Sequence, residues 1–204
     1  MNILNLYAGL GGNRKHWIGD ITAVEWQQSI ADIYQAQYPN DTLVIGDAHA
    51  YLQDNYQRFD FIWSSPPCQT HSKMDRANSR NKPRYADMGL YEEIIFLKTY
   101  FKGKWLVENV VPYYQPLIEP SLKIGRHLFW ANFPIVASDV ARPRNFISSK
   151  DQAQAEELKA WLGLNYTGNV YYKNNHCPAQ VLRNCVHPEI GRQIMNSAMQ
   201  EAKP

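Results

Sequence analysis

The sequence predicts an α/β protein: a mostly parallel sheet with helices on both faces. Three observations carry this expectation. Short apolar runs alternate with amphipathic stretches through the first half of the chain, the pattern of repeated strand–helix–strand units. The run KWLVENV at 104–110 is apolar until it turns polar at its end, as a strand buried on both faces should be. Polar or glycine-rich sequence falls at five separate strand ends, Tyr7 to Gly12, Glu25, Asp47, Pro66 to Cys68 and Glu108 with Asn109, where parallel sheets gather their ligands.

The elements follow in order. ILNLY (3–7) reads as the first strand and residues 13–18 as a short helix. ITAVE (21–25), TLVIG (42–46) and FDFIW (59–63) read as the next three strands, with helices expected at 27–37 and 47–56 between them. Leu90, Ile94, Leu97 and Phe101 recur at helical spacing within a helix expected over 87–101. Past Pro134 the sequence is loopier, with one helix at 151–162 (DQAQAEELKAWL). HPEIGRQIMNSAMQEA reads as a closing helix with Pro188 in its first turn. The expected division is a core over 1–134, a variable region over 135–187, and a closing segment over 188–204 that returns to the core.

Composition excludes several classes. The chain has 204 residues, 45% hydrophobic and 20% charged, which suits one globular domain. No apolar run is long enough to cross a bilayer. The start, MNILNLYAGLGG, has neither a basic segment nor a small-residue cleavage site, so no signal peptide is expected. Cys68, Cys177 and Cys185 are an odd count without paired metal spacing. No disulfide scaffold and no metal centre are therefore expected, and a reducing cytoplasm fits. The net charge of +2 neither requires nor forbids a polyanionic partner, but Lys73, Arg76, Arg80, Lys82 and Arg84 cluster against one acid, Asp75. That loop is either a phosphate-binding element or a solvated surface.

LYAGLGG places Tyr7, Ala8, Gly9, Leu10, Gly11 and Gly12 where backbone can approach a ligand closely. Glu25 ends the second strand, the position from which an acid accepts hydrogen bonds from ribose hydroxyls. Trp26 can stack on a flat base, and Asp47 follows the third strand. Each residue alone also reads as a strand end or core side chain; together they favour an adenosine-containing cofactor. In SSPPCQTHS (64–72), Cys68 sits on a stiff corner, either as an inert loop thiol or as a nucleophile.

The motifs then resemble one family, in its order, over most of the chain. LYAGLGG is similar to the first motif of cytosine-C5 DNA methyltransferases, VEW to the next segment and GDAHAYL to the third. PPCQTHS resembles the Pro-Cys-Gln nucleophile loop, ENV (108–110) the Glu-Asn-Val motif, RHLFWANFP (126–134) the arginine-bearing eighth motif, and QIMNSAM (193–199) the last. The resemblance implies a Rossmann-like S-adenosylmethionine-dependent methyltransferase fold, with 1–134 as catalytic and cofactor-binding core and 135–187 as a reduced recognition region. It implies S-adenosylmethionine as methyl donor, with S-adenosylhomocysteine as product. Cofactor contacts are implied for Tyr7 to Gly12, Glu25, Trp26, Asp47, Ala48, Pro66 and Asn196.

Cys68 would add to carbon 6 of cytosine, Glu108 would contact ring N3 and the exocyclic amine, and Arg126 would hold O2. Backbone N–H groups and basic neighbours are expected to raise the thiolate share of Cys68 above that of a free thiol, whose pKa is about 8.5. Ser65, Pro67, Gln69, Ser72, Lys73, Arg76, Arg80 and Asn109 would meet a flipped-out nucleotide of DNA. His71 is expected to be a loop contact.

Three departures stand out. In Gly125-Arg126-His127, His127 falls at the place of the family's second arginine; Met195 replaces a glycine before Asn196; and the variable region is short. Tyr166, Tyr171, Tyr172, Lys173 and Asn174 either form a small recognition surface or cover the sheet. A compact enzyme of this kind suits a phage or mobile element whose DNA needs shielding from restriction. A cytosine in RNA or a free nucleotide as substrate, and a non-catalytic binding or regulatory subunit that needs a partner for activity, are the alternatives; a protein partner for sequence recognition is a further option.

Overall fold

The computed structural model describes residues 1–73, 85–144, 146, 151–173 and 176–200. Arg76, Arg80, Lys82, Arg84 and Asn174 lie outside the described residues. Seven strands form one sheet: β1 (Asn2–Leu6), β2 (Asp20–Glu25), β3 (Thr42–Ile45), β4 (Phe61–Ser64), β5 (Lys104–Val110), β6 (Leu122–Ile124) and β7 (His127–Ala131). Their order is β3-β2-β1-β4-β5-β7-β6, with β1 to β5 parallel and β7 antiparallel to both β5 and β6. Among the described residues the α-helices are α1 (Gln28–Gln37), α2 (Ala48–Asn55), α3 (Gly89–Tyr100), α4 (Asp151–Leu162), α5 (Pro178–Arg183) and α6 (Pro188–Met199). This is a Rossmann-like arrangement, the mostly parallel sheet with helices on both faces that the sequence predicts.

Strand alternation explains why both faces are covered. Successive side chains point to opposite sides, so Leu4, Leu6, Ile62, Val107 and Leu128 meet Leu52 of α2 and Leu90, Ile94 and Leu97 of α3. Ile3, Phe61, Trp63, Leu106 and Phe129 face the other way, against Trp17 and the Ile190, Ile194 and Met195 stripe of α6. Because neither face is wet, these strands read as continuous apolar runs. A third cluster joins Leu10 and Ile30 to Leu158 and Leu162 of α4 and Val181 and Leu182 of α5.

The expected helix at 13–18 does not form. The segment is a series of turns, with Arg14 N–H donating to the Gly11 carbonyl and Trp17 N–H to that of Arg14. Tertiary ties override the helical pattern: Arg14 forks onto both oxygens of Asp41 at 2.6 Å, and Asn13 donates to buried Asn5 at 2.9 Å. α5 and the β6–β7 hairpin were not expected as elements. α5 has six residues and β6 three, too few to display a period.

Helix α6 docks on the 12–16 turn through Gly191. A Cβ there would meet the Asn13 carbonyl oxygen at 2.1 Å, while Trp17 Nε1 donates to the Gly191 carbonyl at 3.2 Å. Gly191→Ala therefore forces helix and turn apart. We expect a loss of about 2 kcal/mol or more, an overpacking cost against rigid backbone, read as a lowered urea midpoint.

Candidate active site

The carboxyl ends of β1, β2, β4 and β5 surround a cleft of about 360 Å³. The glycine turn forms one wall. Tyr7 has φ 56°, Gly9 φ 55° and Gly11 φ 73°, left-handed values that only glycine adopts without cost. Two buried carboxylates hold this turn. Glu25 accepts from Gly9 N–H at 3.0 Å and Gln27 N–H at 2.9 Å. Glu93, on α3, accepts from the Tyr7 hydroxyl and from Ser64 Oγ, both at 2.5 Å, and so ties the end of β1 to the end of β4. No sequence signal singled out Glu93.

The opposite wall is the 65–72 loop. His71 N–H bonds back to the Cys68 carbonyl at 3.1 Å and Ser72 N–H to that of Gln69 at 3.3 Å, so the thiol rides on a compact turn. Asn109 Nδ2 donates to the Pro66 carbonyl at 3.0 Å. Buried His71 places Nδ1 2.6 Å from the Tyr114 hydroxyl, the expected loop contact. Ser72 pairs with Pro112.

Of the residues singled out from the sequence, Tyr7, Ala8, Gly9, Leu10, Gly12, Glu25, Trp26, Ser65, Pro66, Pro67, Cys68, Gln69 and Glu108 line the cleft. Others do not. Gly11 packs against Tyr34 and Tyr38 instead. Asp47 caps α2, accepting from Ala50 N–H at 2.9 Å, and opens onto a neighbouring hollow that shares Tyr7, Pro66 and Pro67 with the cleft. Ala48 is in the core, Lys73 is exposed, and Asn109 is buried behind the loop it holds. Asn196 is exposed on α6, because the helix turns its Ile194 and Met195 side to the sheet. What reaches the cleft from this end is Asn184, Cys185 and Val186, together with Tyr172 and Lys173. Gln27 clasps that last segment, donating to the Tyr171 carbonyl at 2.6 Å and accepting from Lys173 N–H at 3.0 Å.

Residues 1–113 match the family model described as C-5 cytosine-specific DNA methylase. The chain belongs to that family. Solved structures similar to this methylase-family chain include an Entamoeba histolytica methyltransferase, EhMeth, with 10% identity and TM-score 0.50, covering 97% of each chain. Spodoptera frugiperda DNMT2, as an E260A/E261A/K263A mutant, is 25% identical over 53% of this chain and 35% of its own, with TM-score 0.37. A DNA modification methyltransferase encoded within an Escherichia coli prophage is 22% identical over 56% and 33%, with TM-score 0.37. The chain thus spans about a third of the length of the last two.

The electrostatics of the methylase cleft correct one expectation. Burial pushes the Cys68 thiol up to about 11, the Glu108 carboxylate adds to this, and Arg126 opposes it. Basic neighbours therefore do not make a resting thiolate, because loss of hydration outweighs them. Burial also raises Glu108 to about 7, against the hydrogen bond from Ser65 and the Arg126 charge. The two groups thus compete over charge: an ionised Glu108 opposes the thiolate, and its protonation removes that part of the opposition while burial, the larger part, remains.

Arg126 does not line the cleft. Its guanidinium lies 5.9 Å from the centre of the Phe146 ring, and its charge bears on Cys68 and Glu108. His127 lines the cleft instead, with Nε2 3.9 Å from Glu108 Oε1. Among the described residues, no three His, Cys, Asp or Glu side chains are grouped to hold a metal. No helix among them is long and apolar enough to cross a membrane.

Proposed function

We propose that the chain is an S-adenosylmethionine-dependent DNA cytosine-5 methyltransferase that acts through a covalent cysteine adduct. The observation that carries this is the meeting of Cys68 and Glu108 with the Gly9 turn, Glu25 and Trp26 in one cleft. The cofactor half fits an adenosine: the indole of Trp26 is 52% exposed although it lines the cleft, and Glu25 keeps acceptor capacity beyond its backbone bonds. Tyr7, Gly9, Glu25, Trp26 and Pro66 would hold it. When bound, S-adenosylmethionine supplies an electrophilic methyl group for carbon 5.

The chain's own groups prepare the base. Glu108, poised near neutrality, meets the base in its protonated, uncharged form, which removes its repulsion of a Cys68 thiolate, and the thiol proton leaves to solvent; Glu108 then gives its own proton to ring N3 and is left as a carboxylate. The sulfur then bonds to carbon 6, and the carbon 5–carbon 6 electron pair becomes nucleophilic at carbon 5. After methylation, the carbon 5 proton leaves to a base reached from solvent, the sulfur–carbon bond breaks, and N3 returns its proton to Glu108.

DNA with an extruded cytosine is the proposed substrate, with Ser65, Pro67 and Gln69 beside the base and Lys73 leading the basic stretch 73–84 toward phosphates. A cytoplasmic setting and protection of phage or mobile-element DNA against restriction belong to the same proposal. The test offers labelled S-adenosylmethionine with duplex DNA, single-stranded DNA, tRNA and free dCMP in parallel. Label is expected in duplex DNA. Label entering only tRNA or dCMP sinks the DNA reading, and no transfer without an added protein points to a partner-dependent subunit.

A further inference from the structure

The pleat of the sheet decides between two adjacent residues for one job. β5 and β7 run antiparallel with Glu108 opposite Phe129 and Val110 opposite His127. Opposite residues share a face and so do residues two apart, which puts Glu108 and His127 on the same side as diagonal neighbours. Arg126 is one residue out of this register. Its carbonyl accepts from Val111 N–H at 2.8 Å while its guanidinium lies toward Phe146.

His127 Nε2 is 3.9 Å from Glu108 Oε1, too far for a direct hydrogen bond but suited to touching the next atom of the same flat ring. With Glu108 on N3 and the exocyclic amine, that next atom is the carbonyl oxygen at position 2. The imidazole is steadied edge-on by Phe129, with centroids 6.4 Å apart and planes at 81°.

We propose that His127, rather than Arg126, contacts O2 of the extruded cytosine and donates it a hydrogen bond from a neutral imidazole. This rests on the cytosine reading above. Burial, reinforced by the Arg126 and Arg142 charges, pushes His127 down to about 3, so the ring is uncharged throughout the physiological range. An uncharged donor asks less desolvation of the cleft than a guanidinium and still marks the base as one with a carbonyl beside N3. His127 is thus a catalytic residue by contact, and Arg126 acts through the field it imposes on Cys68 and Glu108.

The test is single-turnover methyl transfer to oligonucleotides carrying cytosine or 2-thiocytosine, whose sulfur accepts hydrogen bonds weakly. Wild type and Arg126→Ala are expected to prefer cytosine by about tenfold, the worth of one good hydrogen bond. His127→Ala should lose about a hundredfold on cytosine and show no preference between the two bases. His127→Gln, which keeps an N–H donor, should recover at least part of both. If His127→Ala keeps the preference, or Arg126→Ala alone loses it, the assignment to His127 is overturned while the methyltransferase reading stands. If wild type transfers to no cytosine substrate, the methyltransferase reading falls and the assignment falls with it.

Discussion

Glu108→Gln is expected to stabilise the protein at pH 8 while removing most of its activity. Burial raises the carboxyl from its ordinary value of 4.5 to about 7. A raised acid favours the folded state fully below pH 4.5, and that contribution is lost as pH rises toward 7, because the unfolded chain ionises first. Glutamine never ionises, so the variant and wild type should have similar unfolding free energies at pH 4.5. By pH 8 the variant should lead by up to about 3 kcal/mol, from 1.36 kcal/mol per pKa unit. Its amide can still donate to N3 but has no proton to give, so turnover should fall by about 10² to 10⁴ with little change in substrate binding. Urea unfolding at the two pH values and single-turnover assays check both halves. Equal stability at pH 8 would show that Glu108 is not the poised acid inferred here.

Cys68→Ala should abolish both methyl transfer and the covalent complex that 5-fluorocytosine DNA would otherwise form with wild type and cofactor. Cofactor affinity should stay within about twofold, since the glycine turn and Glu25 are held by bonds that do not involve the thiol. Denaturing electrophoresis reads the adduct, and calorimetry reads the cofactor. Retained adduct in the alanine variant would remove Cys68 from the chemistry. At neutral pH and without DNA, Cys68 should also react slowly with iodoacetamide, because its thiol is pushed up to about 11.

The parallel strands were legible because each is an apolar run closed by a change to polar or glycine residues, and KWLVENV coincides with β5. Cys68, Glu108, Glu25 and the glycine turn were legible because their chemistry is local to those strand ends. What escaped was set by distant contacts. Asn184, Cys185 and Val186 face the cleft only because the α5–α6 connection lands on Gly12, where a Cβ would meet the Val186 carbonyl at 2.7 Å. The 3.6-residue stripe of α6 assigns Asn196 to solvent, but its motif position pointed to the cofactor. Between Arg126 and His127, only knowledge of strand register separates the inward side chain from its neighbour.

The Gly12 and Gly191 contacts also impose an order of assembly. The glycine turn follows β1, but its backing arrives with residues 185–191. A nascent chain stopped before Asn184 would have the five parallel strands but lack the Asn184–Val186 wall of the cleft. Such high sequence separation slows folding. The cleft is therefore completed late in synthesis, and a product terminated before this wall would lack it.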